Sequence, residues 1–311
     1  DAMTRTASSR TNKCKHWLLL LTLLCGGLLA SQLTLIGLAV PPDLTITNND
    51  DLPRKPPDTT IVITSSLIPS HPSIRMINDT IISVRTHLLG LHPDTPFIIA
   101  IDGLKSSATD DDRRRYDEMV DNLHTTYTSA LVLTKNASEG LTKNIQKSIG
   151  YVQTKYLYLV QHDLIFALDI NHTAMVKTFE EYPGLMNVVR FNLRKNMFRF
   201  SDRRYPCFGE NSPMNNVNGI HFTKTGHWSD NNQFSSKQYY IDLFRDHFTL
   251  AHQLTVPMEY RMTHVTAANC SYEGPWLYGR KRSGPWVIHL DGKRTTSYFG
   301  NMTNITVSGH Y

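Results

Sequence analysis

Apolar positions follow two rhythms along this chain. Short unbroken runs occur at Ile61-Val62-Ile63, Phe97 to Ile101, Ala130 to Thr134 and Tyr156 to Val160. Their length and their β-branched or aromatic content predict strands buried on both faces. Between them the apolar residues recur every three or four positions. After Pro72 they are Ile74, Ile77, Ile81, Val84 and Leu88; after Gly140 they are Leu141, Ile145, Ile149 and Val152. Each set lies on one face of a helix. Pro72 stands where a first turn tolerates proline, and Gly90 and Pro93 close the segment. A more polar helix is predicted over Asp110 to His124. The order strand, helix, strand, helix, strand, helix, strand predicts an α/β fold, a mostly parallel sheet with helices on both faces. Ligands of such sheets bind beyond the carboxyl ends of the strands, where Asp102 and Asp163 both fall.

Past Phe166 the rhythm loosens. "MNVVRFNL" reads as one more strand. Gln238 to Leu254 predicts a helix with Tyr240, Leu243, Phe244 and His247 facing inward, and Trp228 and Trp276 are expected in the core. From Ser271 onward no period stands out. No internal repeat is seen.

The N-terminal part is of a different kind. Trp17 to Val40 contains no charged residue, and Pro41-Pro42 closes it. At about 1.5 Å per residue it is long enough to cross a hydrocarbon core of about 30 Å. Arg5, Arg10, Lys13 and Lys15 precede it, which predicts a cytosolic N-terminus. The expected organisation is a cytosolic tail (1–16), a transmembrane signal anchor (17–40), a stem (41–60) and a luminal domain (61–311). The alternative is a cleaved signal peptide, with small residues at "GLLAS" near a possible cut. Setting aside residues 1–16 lowers the net charge from +5 to about +2, too small an excess for a broad nucleic-acid surface. Asp110-Asp111-Asp112 offsets Arg113-Arg114-Arg115, as in a solvated loop or helix start. Cys207 and Cys270 are the only cysteines past the apolar segment; they form one disulfide or remain two buried thiols. Sequons begin at Asn78, Asn136, Asn171, Asn269, Asn301 and Asn304, in keeping with a glycosylation compartment.

The order of parts resembles the GT-A-fold glycosyltransferases, especially the inverting family-2 type that use nucleotide sugars. "IVITSSLIPSHPSIRMINDTIISVRTHL" is similar to their first strand and helix, and "IIAIDGL" to the second strand. "EGLTKNIQKSIGYVQTKYLYLVQHDL" is similar to the glycine–helix–strand unit that leads into an Asp-x-Asp motif, and "NGIHFTKTGHWSDNNQF" to the acceptor-side segment. Together these span about residues 60 to 235. The resemblance implies donor contacts from Asp102, Lys143, Asn144, Gln161 and Asp163. It implies Asp230 as the catalytic base and a divalent metal, Mn²⁺ or Mg²⁺, at Asp163. Gln161 replaces the motif's first aspartate, so this triplet supplies one carboxylate, not two. His162 and His289 are candidate further metal ligands, since imidazole suits Mn²⁺ better than Mg²⁺. Lys293 and Arg294 are candidates to neutralise a departing diphosphate without a metal.

What this implies is a type II Golgi membrane enzyme moving a sugar from a nucleotide sugar to a glycan or glycoconjugate acceptor. A non-catalytic carbohydrate-binding or scaffold protein on the same fold is the alternative, because a fold does not fix a function. Each aspartate has a structural reading too: Asp102 and Asp163 as strand-end turn residues, Asp230 as a helix cap. A nucleotidyltransferase is a third reading, disfavoured by the apolar anchor and the sequons.

Overall fold

The computed structural model describes residues 56–184, 186–196, 213–268 and 275–290. The apolar segment 17–40, Cys207, Cys270, Lys293, Arg294 and the sequons at Asn269, Asn301 and Asn304 lie outside them. No helix among the described residues is long and apolar enough to cross a membrane.

The elements run in chain order. First come β1 (Thr59–Ser65), α1 (Arg75–His87), β2 (Leu88–Leu89), β3 (Phe97–Ile101), α2 (Asp110–Thr126) and β4 (Leu131–Leu133). Then follow α3 (Leu141–Tyr151), β5 (Tyr156–Gln161), β6 (Leu164–Phe166), β7 (Ile170–Asn171), α4 (His172–Glu181) and β8 (Val188–Arg190). The last part holds β9 (Pro213–Val217), β10 (Ile220–Lys224), β11 (Gln233–Ser236), α5 (Lys237–His247), α6 (Met258–Ala268), β12 (Trp276–Tyr278) and β13 (Val287–His289).

All the predicted strands and helices of residues 61–166 are present. The first strand starts at Thr59, two residues inside the expected stem. The first helix starts at Arg75, so Pro72 precedes it and is not in its first turn. The charged triplets open α2, where Thr109 and Asp112 cap each other and the acidic residues face the positive end of the helix dipole. The helix expected over 238–254 ends at His247, and a separate 3₁₀ turn, Ala251–Thr255, follows.

Nine strands form one mixed sheet in the order β4-β3-β1-β5-β11-β8-β12-β10-β9. The first four are mutually parallel. β11 then enters antiparallel between β5 and β8. Alternate residues of the strands serve opposite faces. Ile61, Ile63, Tyr158 and Val160 pack with α1, α2 and α4. Val62, Leu157 and Leu159 pack with α3, α5 and α6. The runs are apolar throughout because both faces are covered. Trp228 and Trp276 are buried in this core, as expected.

Candidate active site at the carboxyl ends of β1, β3 and β5

Register decides what meets at the sheet edge. Thr64 pairs with Gln161, and Ser65 with Ile101, so β1, β3 and β5 finish at one level. Beyond them opens a cavity of about 700 Å³. Six of the predicted residues line it: Asp102, Asn144, Gln161, His162, Asp163 and Asp230. Lys143 is not in its wall; its ammonium group pairs with Glu139 at 3.6 Å. His289 is not in the wall either, but β13 pairs with β6 and brings its Nε2 to 3.3 Å from Asp163 Oδ2.

Asp102 and Asn144 are engaged with the protein itself. Asp102 accepts from Ser138 Oγ at 2.6 Å, from Glu139 N–H at 3.0 Å and from Gly140 N–H at 3.1 Å. These bonds hold the turn that starts α3. Ser138 N–H also donates to Leu104 O. Gly103 makes this closeness possible, since a Cβ there would collide with the backbone of Ala137. Asn144 donates to Ala100 O at 2.9 Å and ties α3 to β3.

The Gln161-His162-Asp163 triplet is held from several sides. Asn232, fully buried, accepts from Gln161 N–H at 3.0 Å and donates to Leu164 O at 2.9 Å. Its own carbonyl accepts from Phe191 N–H. Gln161 Nε2 donates to Asp230 O at 3.0 Å. This bond needs an amide at position 161: an amide donates to a carbonyl, and a carboxylate does not. Sequence reasoning missed Asn232. The signal was there, a polar quartet "SDNN" running directly into a buried strand, where an asparagine needs partners.

Asp163 Oδ1 is buried and has no hydrogen-bond partner. With His289 beside the other oxygen, the pair offers a carboxylate and an imidazole, a donor set that fits Mn²⁺ better than Mg²⁺. Among the described residues no group of three or more His, Cys, Asp or Glu side chains stands close enough to hold an ion. A cation here would take its other ligands from a bound diphosphate or from water. His162 is turned elsewhere, with Nδ1 at 3.3 Å from Thr64 O and its ring beside His71.

Asp230 is pushed up to about 6, first by burial and then by the negative charge of Glu259, while Arg190 pulls the other way. Glu259 belongs to α6, whose Thr263 and Thr266 donate to Trp228 O and Gly226 O and so lay that helix along the 226–230 segment. A carboxylate in this state is charged near neutral pH yet basic enough to take a proton.

No protein-family model and no curated protein matches the sequence. Among solved structures the chain is similar to the mannosyltransferase PcManGT from Pyrobaculum calidifontis in complex with GDP-Man and Mn²⁺. Identity is 9% and the TM-score 0.44, over 77% of this chain and 58% of that one. The present chain therefore spans less than two thirds of that protein's length.

The Asp102 bonds predict how the cavity wall responds to mutation. Asp102→Asn puts an NH₂ where one N–H or O–H donor now points, and should destabilise the fold by about 1–3 kcal/mol. Gly103→Ala should cost about 1–3 kcal/mol by overpacking. Gly150→Ala, within α3 and with open space around it, should stabilise by about 0.5–1 kcal/mol. Urea unfolding of the three variants checks the order.

Proposed function

We propose that this protein is a GT-A-type glycosyltransferase that moves a sugar from a nucleotide sugar to a hydroxyl of a glycan or glycoconjugate. The observation that carries the reading is that one strand-end cavity holds both Asp163, with an unpartnered buried oxygen, and Asp230, raised to about 6. The two carboxylates suit opposite halves of one displacement.

In this reading Asp163 lies at the diphosphate of the donor. Asp163 and His289 would hold a divalent cation, which when bound supplies positive charge against the leaving diphosphate. Asp230 faces the acceptor. Its carboxylate takes the proton of the acceptor hydroxyl, whose oxygen forms a bond to the anomeric carbon. The bond from that carbon to the diphosphate breaks, and the diphosphate leaves with the electron pair. A base opposite the leaving group favours inversion. Asp102 and Asn144 act as part of the wall, by fixing α3, and Lys143 pairs with Glu139. Gln161 replacing an acidic residue gives some support to a non-catalytic carbohydrate-binding protein, which would bind a nucleotide sugar without turning it over.

The test is full-length protein in detergent, screened against a panel of nucleotide sugars with and without Mn²⁺ for donor hydrolysis and transfer. Turnover should rise with pH through a midpoint near 6, as Asp230 ionises. Asp230→Asn should lower turnover by about 10²–10⁴-fold and leave donor affinity nearly unchanged. Asp163→Asn should lower it by about 10²–10³-fold. Stability carries the opposite sign. Asp230 has a raised folded value, so its contribution is present below about 3.8 and is lost as pH rises through about 6. Asp230→Asn should therefore stabilise the protein above pH 6, by on the order of 1–3 kcal/mol. Binding without turnover of any donor would favour the carbohydrate-binding protein.

The proposal extends to a type II Golgi protein anchored by residues 17–40, with the folded part in the lumen and Cys207 and Cys270 joined. In sealed microsomes the C-terminal part should resist protease, and the chain should stay with the membrane after carbonate washing. A soluble form starting near Ser31 would instead reveal a cleaved signal peptide.

A further inference from the structure

We infer that this protein binds an anionic glycan as its acceptor, holding the carboxylate or sulfate groups on a basic platform at the ends of β8 and β12. This rests on reading the strand-end cavity as a nucleotide-sugar site with the acceptor on the Asp230 side.

Two loops make the platform. Residues 191–196 follow β8 and carry Arg194 and Lys195; residues 279–286 follow β12 and carry Arg280, Lys281 and Arg282. All five cations are exposed. Neither 191–196 nor 275–290 contains an aspartate or a glutamate. The loops are distant in sequence and are laced together by the fold. Asn196, 1% exposed, donates from its side chain to Tyr278 O at 2.7 Å and from its N–H to Ser283 O at 2.8 Å. Its carbonyl accepts from Arg282 N–H at 2.6 Å. Trp286 N–H donates to Asn192 O at 2.9 Å. The Arg280 guanidinium is fixed further, 2.6 Å from His221 Nε2. Arg282 stands at φ 72°, a left-handed backbone that an L side chain seldom adopts. A run of surface charge is ordinarily a solvated face. Here five like charges are gathered from two segments by buried bonds, against their mutual repulsion and with strain at Arg282.

Topology puts this platform beside the chemistry. β11 is antiparallel to both β5 and β8, so β8 runs with β5, and β12 runs with β8. Gln233 pairs with Leu159 and with Arg190, and Arg190 pairs with Leu277, which sets these strands at one level. The loops after β8 and β12 therefore reach the same sheet edge as Asp163 and Asp230. They lie on the side of β11 away from the cavity beyond β1, β3 and β5. Arg190, at the end of β8, acts on the charge of Asp230. β12 is two strands from β11, about 10 Å. An oligosaccharide spans that distance, and a single sugar does not. Three of the five cations are arginines, whose planar fork pairs with two oxygens of one oxyanion.

The test is fluorescence anisotropy with labelled hexasaccharides and full-length protein in detergent. The probes are an oligogalacturonate, a heparin hexasaccharide and neutral maltohexaose, beside a thymidine oligonucleotide of equal charge. At low salt one anionic hexasaccharide should bind about 10-fold or more tightly than maltohexaose and than the oligonucleotide. Which of the two binds tells carboxylate from sulfate. A protein carrying both Arg280→Gln and Arg282→Gly should lose the preference. Glutamine can still donate to His221, and glycine suits the backbone at 282, so the fold is kept. Donor hydrolysis should be unchanged in this double variant, while KM for the anionic acceptor rises about 10-fold. Equal binding of maltohexaose, or an unchanged preference in the double variant, would overturn the inference. So would equal binding of the oligonucleotide, which marks a non-specific polyanion surface only. Donor hydrolysis without any preference among the hexasaccharides sinks the inference alone. If no nucleotide sugar is hydrolysed and the arginine-dependent preference is found, the glycan site stands and the glycosyltransferase reading fails.

Discussion

The site depends on one buried side chain. Asn232 uses both ends of its amide on β5 and the start of β6, and its carbonyl on the start of the segment after β8. A buried amide left half satisfied is costly, so these bonds fix each other's geometry. Two residues before it stands Asp230, whose carbonyl takes the Gln161 amide. The Gln161-His162-Asp163 triplet and Asp230 are therefore not on two loops that happen to meet. Three hydrogen bonds join residues 161–164 to residues 230–232, from Gln161 N–H, Gln161 Nε2 and Asn232 Nδ2. Relative position is what a displacement reaction needs most.

The sheet makes that junction possible. Four parallel strands carry the triplet to the edge, and β11 enters beside β5 running the opposite way. Because it is reversed, the residues just before it lie at the same edge as those just after β5. A fifth parallel strand would have put Asn232 and Asp230 at the far end. On the other side of the cavity the Asp102 carboxylate performs a similar service for α3, with its three donors and the absent Cβ of Gly103. One wall is thus tied by an amide and the other by a carboxylate.

Much of this was legible in the sequence. The two rhythms of apolar residues located β1, β3, β4, β5, α1, α2 and α3, because strands covered on both faces and amphipathic helices leave strong periodic traces. The resemblance implied site roles for Asp163 and Asp230, and both line the cavity. What the sequence hid was partnership. Asp102 sits at a strand end like a ligand residue, yet its oxygens are taken by the turn it faces. Lys143 lies one residue from Asn144, but the helix turns it toward Glu139. Gln161 reads as a lost carboxylate, and only the structure shows its amide nitrogen donating to Asp230 O. The reversal at β11 has no periodic signature, since four residues, Gln233–Ser236, are too few to show one. Lys293 and Arg294 lie outside the described residues.

The Gln161 amide, by donating to Asp230 O, holds the triplet against the 230–232 segment. The direct measurement is the thermal midpoint and the transfer rate of Gln161→Glu, the same size but without the N–H donor. A lower midpoint and a turnover reduced by about 10-fold or more are expected, because a carboxylate would face the Asp230 carbonyl oxygen. A Gln161→Glu protein as stable as the unmodified one and equally or more active would contradict it.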